Sequence, residues 1–212
     1  MSFEPRDFLV VVDVQLDFCA GGALAVPGGE EVVGVVNRVA AAAPGVVLTQ
    51  DWHPPGHRSF ASSWPDRRPF DVVEMPYGDQ VLWPDHCVQG SPGAAFHPAL
   101  DVDRASVVVR KGTDPELDSY SAFFENDRTT PTGLGGLLAE RNVGRVVLVG
   151  LATDFCVLYT GLDAARLGFD VVRIEDACRA LDVDGSLAAA RTKMADAGVT
   201  TVTADRWLAG EA

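Results

Sequence analysis

The stretch Val146-Val147-Leu148-Val149-Gly150-Leu151-Ala152-Thr153-Asp154-Phe155-Cys156 carries an apolar run straight into a cysteine. Four apolar residues in succession, three of them valine, ended by Gly150, predict a buried strand. Just beyond, Thr153 or Asp154 can cap a helix whose apolar spacing, Leu158, Leu162 and Ala165, runs on to Gly168. Cys156 therefore falls in the first helical turn. Unpaired amides and the positive end of the helix dipole favour an anion there, which is expected to lower the thiol's pKa and to form an anion pocket around it. A small buried apolar cysteine fits this segment equally well, so the rest of the chain has to decide.

Outward from that strand, similar runs recur at Phe8 to Asp13, Val46 to Thr49, Ser106 to Arg110, Val171 to Glu175 and Thr200 to Thr203, with Arg145 to Val149 among them. Helical stretches are expected at Glu30 to Ala43, Leu134 to Asn142, Thr153 to Leu167 and Asp184 to Ala197. This alternation predicts an α/β fold: a doubly wound, mainly parallel six-stranded sheet with helices on both faces, in a single domain over 1–212. One segment breaks the rhythm. Asp51 to Pro98, rich in Pro, Trp, His and Gly, is expected to be irregular and functional.

Composition narrows the function. The formal net charge of −13 argues against a nucleic-acid surface, which needs clustered Lys and Arg. No segment is apolar enough to span a bilayer, and the N-terminal residues lack a secretory pattern, so a cytoplasmic protein is expected. The four cysteines, Cys19, Cys87, Cys156 and Cys178, are too sparse for a disulfide framework and are taken as free thiols. The sequence leaves homo-oligomerisation open.

In doubly wound sheets the ligand crevice lies at the carboxyl ends of the strands, and four such ends here carry reactive groups. Asp13 follows Leu9-Val10-Val11-Val12, where a carboxylate could take a thiol proton and return it to a leaving amine; it could also simply cap a turn. Lys111 ends Val107-Val108-Val109-Arg110, where its cation could hold Asp13 and Cys156 in their charged forms, or lie in solvent. Asp51 and His53, two apart on an extended segment, point to one side; with His86 from the loop they form a ligand set suited to one divalent ion, Zn, Fe or Mn. His57 could be a fourth ligand, a neighbour of the ligands or an exposed loop histidine, and His97 is read as structural. Phe18, Trp83 and Tyr120 lie close in sequence to these groups, and their faces could flank a small planar ring or pack in the core.

Together these pieces resemble the nicotinamidase/pyrazinamidase branch of the isochorismatase-like cysteine hydrolases. The likeness spans nearly the whole chain. It rests on Val12 to Phe18, Thr49 to Pro54, Ser59 to Ala61, Trp83 to Val88, Lys111-Gly112, Asp118 to Phe123 and Gly150 to Val157. The resemblance implies that Asp13, Lys111 and Cys156 are the catalytic triad, that Asp51, His53 and His86 hold the metal, and that the Leu151–Ala152 peptide bond is cis. The Ala152 and Cys156 amides would then form the oxyanion hole, and Phe18, Trp83 and Tyr120 would border the substrate. His57 is left outside the ligand set. The implied activity is hydrolysis of nicotinamide to nicotinate and ammonia through a cysteine thioester, in NAD salvage, with pyrazinamide a further substrate. A related hydrolase of another small amide or an isochorismate-like compound, and a non-catalytic metal- or partner-binding protein on the same fold, are the alternatives.

Overall fold

The computed structural model describes residues 2–211. Its strands are β1 (Asp7–Val12), β2 (Val46–Asp51), β3 (Val72–Met75), β4 (Gly78–Val81), β5 (Val107–Lys111), β6 (Arg145–Leu151), β7 (Asp170–Arg179) and β8 (Thr200–Val202). Its α-helices are α1 (Val32–Ala42), α2 (Leu134–Glu140), α3 (Cys156–Arg166), α4 (Ser186–Asp196) and α5 (Ala204–Leu208). Six strands form one sheet in the order β5-β2-β1-β6-β7-β8, and every pairing in it is parallel. The fold is thus the six-stranded α/β sheet the sequence predicts.

Continuous valine and leucine runs suit central parallel strands because both faces are covered. Leu9 and Val11 of β1 pack with Val36 and Val39 of α1 and with Trp207 of α5. Val10 and Val12 turn the other way, toward Leu138 of α2, Leu158 of α3 and Met194 of α4. The chain order reverses between β1 and β6, which places a crevice at their carboxyl ends. Close approach there requires Gly150: its φ is +113°, and a Cβ on it would stand 2.1 Å from the Val12 carbonyl oxygen.

The structure differs from expectation in the segment 51–98, at the end of β7, which runs to Arg179 rather than Glu175, at the start of α4 and after β8. The segment 51–98 is not wholly irregular, since β3 and β4 pair as an antiparallel hairpin, its Val73 and Met75 packed with Leu82. The alternating burial of β3 is the period-2 signal of a strand, obscured in the sequence by its Pro-rich surroundings. α4 begins at Ser186 rather than Asp184, because Asp184 and Gly185 are left-handed. Helix α5 also follows β8, its first turn capped by the Thr203 side chain, which accepts from the Arg206 amide. Among the described residues no helix is long and apolar enough to cross a membrane.

Candidate active site

Three strand ends deliver Asp13, Lys111 and Cys156 to one buried point. Asp13 leaves β1 in the left-handed region, φ +48°, which turns the chain out of the sheet. The Thr49 hydroxyl donates to Asp13 Oδ1 at 2.6 Å and accepts from the Asp13 amide at 3.1 Å, a clamp supplied by the neighbouring strand. Lys111 Nζ lies 2.9 Å from Asp13 Oδ2, donates to Asp51 Oδ1 and to the Ser119 carbonyl at 2.9 Å, and stands 3.5 Å from Cys156 Sγ. Beyond the Lys111 ammonium, Asp13 Oδ2 meets no donor among the described residues, which leaves it a lone pair for a further proton.

Burial pushes the Asp13 carboxyl up, with Lys111 opposing. Burial works against the Lys111 ammonium, yet Asp13 and Asp51 lift it well above the ordinary lysine value. For Cys156, burial raises the thiol well above its usual range; Lys111 pulls it down, while Asp13 and Asp51 push it up. This corrects the expected thiolate. The first-turn position is as anticipated, but two carboxylates already share the single ammonium, and a third buried anion would lack a partner. Burial and the two carboxylates thus oppose the anion that the helix end favours, with Lys111 on the other side of the balance.

The cysteine turn is held without the predicted caps. Phe155 occupies the N-cap position, with no side-chain cap. Thr153 instead donates its amide and hydroxyl to the Arg179 carbonyl, at 2.8 and 3.1 Å. Asp154 accepts from the Leu181 and Asp182 amides and, at 2.5 Å, from the Ser186 hydroxyl. Both side chains tie the turn to the β7–α4 connection, a contact distant in sequence. The Leu151–Ala152 bond is cis. The Phe155 and Val157 amides both donate to the Ala152 carbonyl, at 3.1 Å, while those of Ala152 and Cys156 find no backbone acceptor among the described residues.

Asp51, His53 and His86 form one buried cluster, their nearest ligand atoms all within 4.8 Å of one another. Asp51 Oδ2 is 3.8 Å from His53 Nε2 and 3.9 Å from His86 Nε2. The tautomers follow from the second nitrogens: His53 Nδ1 meets the Gly112 carbonyl at 2.9 Å and His86 Nδ1 the Pro84 carbonyl at 2.8 Å. A carbonyl can only accept, so each Nδ1 carries the proton and each Nε2 presents a lone pair. Burial lowers both imidazoles to about 4, which keeps them neutral. Such a donor set fits a divalent ion, whose tetrahedral ligands at ~2.1 Å stand roughly 3.4 Å apart. His57 is also buried and packs against His53, with ring centroids 4.5 Å apart. Its Nδ1 is engaged by Ser59, whose amide donates at 3.2 Å and whose hydroxyl lies at 2.7 Å, and its Nε2 faces the Leu117 carbonyl at 3.4 Å.

One pocket joins the two groups. Phe18, Trp83 and Tyr120 line it together with Asp51, His53, His86, Ala152 and Cys156. Sequence reasoning missed Asp118, Ser119, Phe155, Leu24 and Leu181 in the same wall. Asp118 Oδ1 is 4.0 Å from His53 Nε2, and its other oxygen accepts from Gln80 of the hairpin at 2.7 Å. Asp118 and Ser119 belong to a segment noted for its resemblance but given no role, and Phe155 immediately precedes the cysteine; for Leu24 and Leu181, both in loops, no local signal exists.

Residues 7–206 match the family model of the isochorismatase domain. The chain belongs to the isochorismatase family. Within that family it is 49% identical over 194 residues to a nicotinamidase of Acinetobacter baylyi, covering 92% of this chain and 91% of the relative. A solved nicotinamidase/pyrazinamidase of Acinetobacter baumannii superposes with a TM-score of 0.94 at 48% identity, covering 95% of this chain and 98% of that one. A protein of L. infantum solved in complex with nicotinate gives 0.86 at 39% identity, with 98% of each chain covered. A pyrazinamidase of Pyrococcus horikoshii solved in complex with zinc gives 0.75 at 34%, covering 94% and 99%.

Proposed function

We propose that this chain is a cytoplasmic amidohydrolase that converts nicotinamide to nicotinate and ammonia in NAD salvage, with pyrazinamide as a second substrate. One observation carries the reading: the Cys156 thiol and the Asp51, His53 and His86 cluster line the same aromatic-walled pocket. A pyridine ring bearing a carboxamide has a lone pair at one end and an electrophilic carbon at the other, which matches a metal cluster and a thiol in one slot. The likeness to nicotinamidases along nearly the whole chain points the same way.

Asp51, His53 and His86 would hold one divalent ion, zinc, iron or manganese, which when bound supplies a Lewis-acid anchor for the ring nitrogen, directly or through a water. Phe18 and Trp83 would hold the ring between them, with Tyr120 beside it, and turn the carboxamide toward Cys156. As the sulfur attacks, its proton passes to Asp13 Oδ2, the open acceptor, and the S–C bond forms. The Ala152 and Cys156 amides receive the oxyanion. Asp13 returns the proton to the nitrogen, the C–N bond breaks and ammonia leaves a thioester. Water then attacks the thioester, Asp13 takes its proton, and the sulfur recovers one as nicotinate departs. Throughout, Lys111 compensates whichever of Asp13 and Cys156 is negative.

The direct test is ammonia release from nicotinamide by the purified protein, before and after chelation. Benzamide, which lacks the ring nitrogen, should be a far poorer substrate; equal turnover of the two would remove the metal-anchoring half of the reading.

A further inference from the structure

A second cavity, of about 380 Å³, lies where β7 runs on past the end of β8, lined by residues of β7 and α4 and by Thr203 after β8. Three arginines converge on it, Arg173, Arg179 and Arg191, in a chain with only 17 basic residues against 30 acidic ones. Arg173 is 4% exposed. Its Nη2 reaches only Thr201 Oγ1 at 3.4 Å and Glu175 Oε2 at 3.8 Å, and its Nε has no hydrogen-bond partner. A guanidinium offers five N–H donors, and burying one with so few acceptors is costly unless a ligand completes it. Arg191 makes no ion pair or side-chain hydrogen bond among the described residues. Arg179 is pinned by the Asp176 and Cys178 carbonyls and paired with Glu31, which offsets its charge, so Arg173 and Arg191 are the arginines left to meet a ligand.

The unfilled donors of the cavity select its ligand. Glu175 and Asp176 share the lining, and Asp176 is already held by the Ala204 amide. The two carboxylates oppose any anion, and a phosphate monoester offsets them by presenting three strong acceptor oxygens that match the guanidinium fork in bidentate contacts. The volume exceeds what a phosphate group alone needs and falls in the range of small-molecule pockets. We propose that this cavity binds small phosphate monoesters, with Arg173 as the buried anchor and Arg191 as the cation at its mouth.

Calorimetric titration at low salt tests this with three probes, glycerol 3-phosphate, orthophosphate and glycerol, on the wild type, Arg191→Ala and Glu175→Gln. Glycerol 3-phosphate should bind and glycerol should not. Orthophosphate matching the monoester would assign the site to the phosphate group alone, and weaker binding would show that the organic remainder is also held. Arg191→Ala should weaken glycerol 3-phosphate binding by about tenfold, the loss of one charge-assisted contact, with nicotinamide turnover unchanged, and Glu175→Gln should tighten it. Absence of binding up to about 10 mM, or equal affinity in all three proteins, would overturn the assignment.

Discussion

Gly112 lies so close to the His53 imidazole that a Cβ on it would stand 2.4 Å from Cε1 and 2.6 Å from Nδ1, and its carbonyl accepts the Nδ1–H hydrogen bond. With φ at +61°, the position disfavours a side chain on backbone grounds as well. Gly112→Ala should therefore turn His53 away from Asp51 and weaken metal binding by roughly 10- to 100-fold, the usual cost of losing a ligand's outer partner. Metal content after dialysis against a graded chelator measures it; wild-type retention would mean that His53 is not a ligand.

Cys156→Ala should leave less than about a thousandth of wild-type turnover with the fold and bound metal intact, since Cys156 supplies the pocket's thiol among the described residues and the lining hydroxyls of Ser119 and Tyr120 are far weaker nucleophiles. Asp13→Asn should be nearly as severe, because the amide keeps the shape but cannot accept the thiol proton. Rapid quench and mass spectrometry should recover a nicotinoyl adduct on Cys156 in the wild type. A mild Asp13→Asn defect would move the proton acceptor elsewhere.

The pH response of the thiol carries a definite sign. Burial favours the neutral form of Cys156, so its alkylation by iodoacetamide, read at the Cys156 peptide, should have its midpoint above about 8.5, where a free thiol is half ionised. Lys111 is the main influence lowering that pKa, so Lys111→Met should slow alkylation at any given pH and carry the profile further upward. Faster alkylation in that variant would contradict the assigned role of the ammonium.

Metal analysis of three purified variants separates ligand from neighbour. His53→Ala and His86→Ala should empty or greatly weaken the site, whereas His57→Ala should largely keep its ion, both nitrogens of His57 being engaged by Ser59 and Leu117. Metal loss should raise KM for nicotinamide more than it slows alkylation of Cys156, because the cysteine turn is held by Arg179 and by Asp154 contacts independent of the ion. Loss of metal in His57→Ala alone would invert the ligand assignment.

The sheet was legible in the sequence because parallel strands buried on both faces must be continuously apolar, so the valine runs around Val10, Val47 and Val147 announce themselves without tertiary information. The same logic singled out Asp13, Lys111 and Cys156, since a polar residue that ends such a run emerges where doubly wound folds place their ligands. What the sequence could not contain was the company each residue keeps. Asp154 looks like a helix cap in its local context, but the β7–α4 connection passes close enough to claim both its oxygens. Cys156 looks like a thiolate at a helix end, but burial beside Asp13 and Asp51 works against that preference. The Gln80 contact to Asp118 joins residues 38 apart and depends on a hairpin whose alternation is too short to stand out among prolines. Local pattern determines which elements form and which strand ends carry chemistry. Protonation, tautomer and the identity of the neighbours are decided by desolvation and by contacts between distant segments, which exist only once the chain has folded.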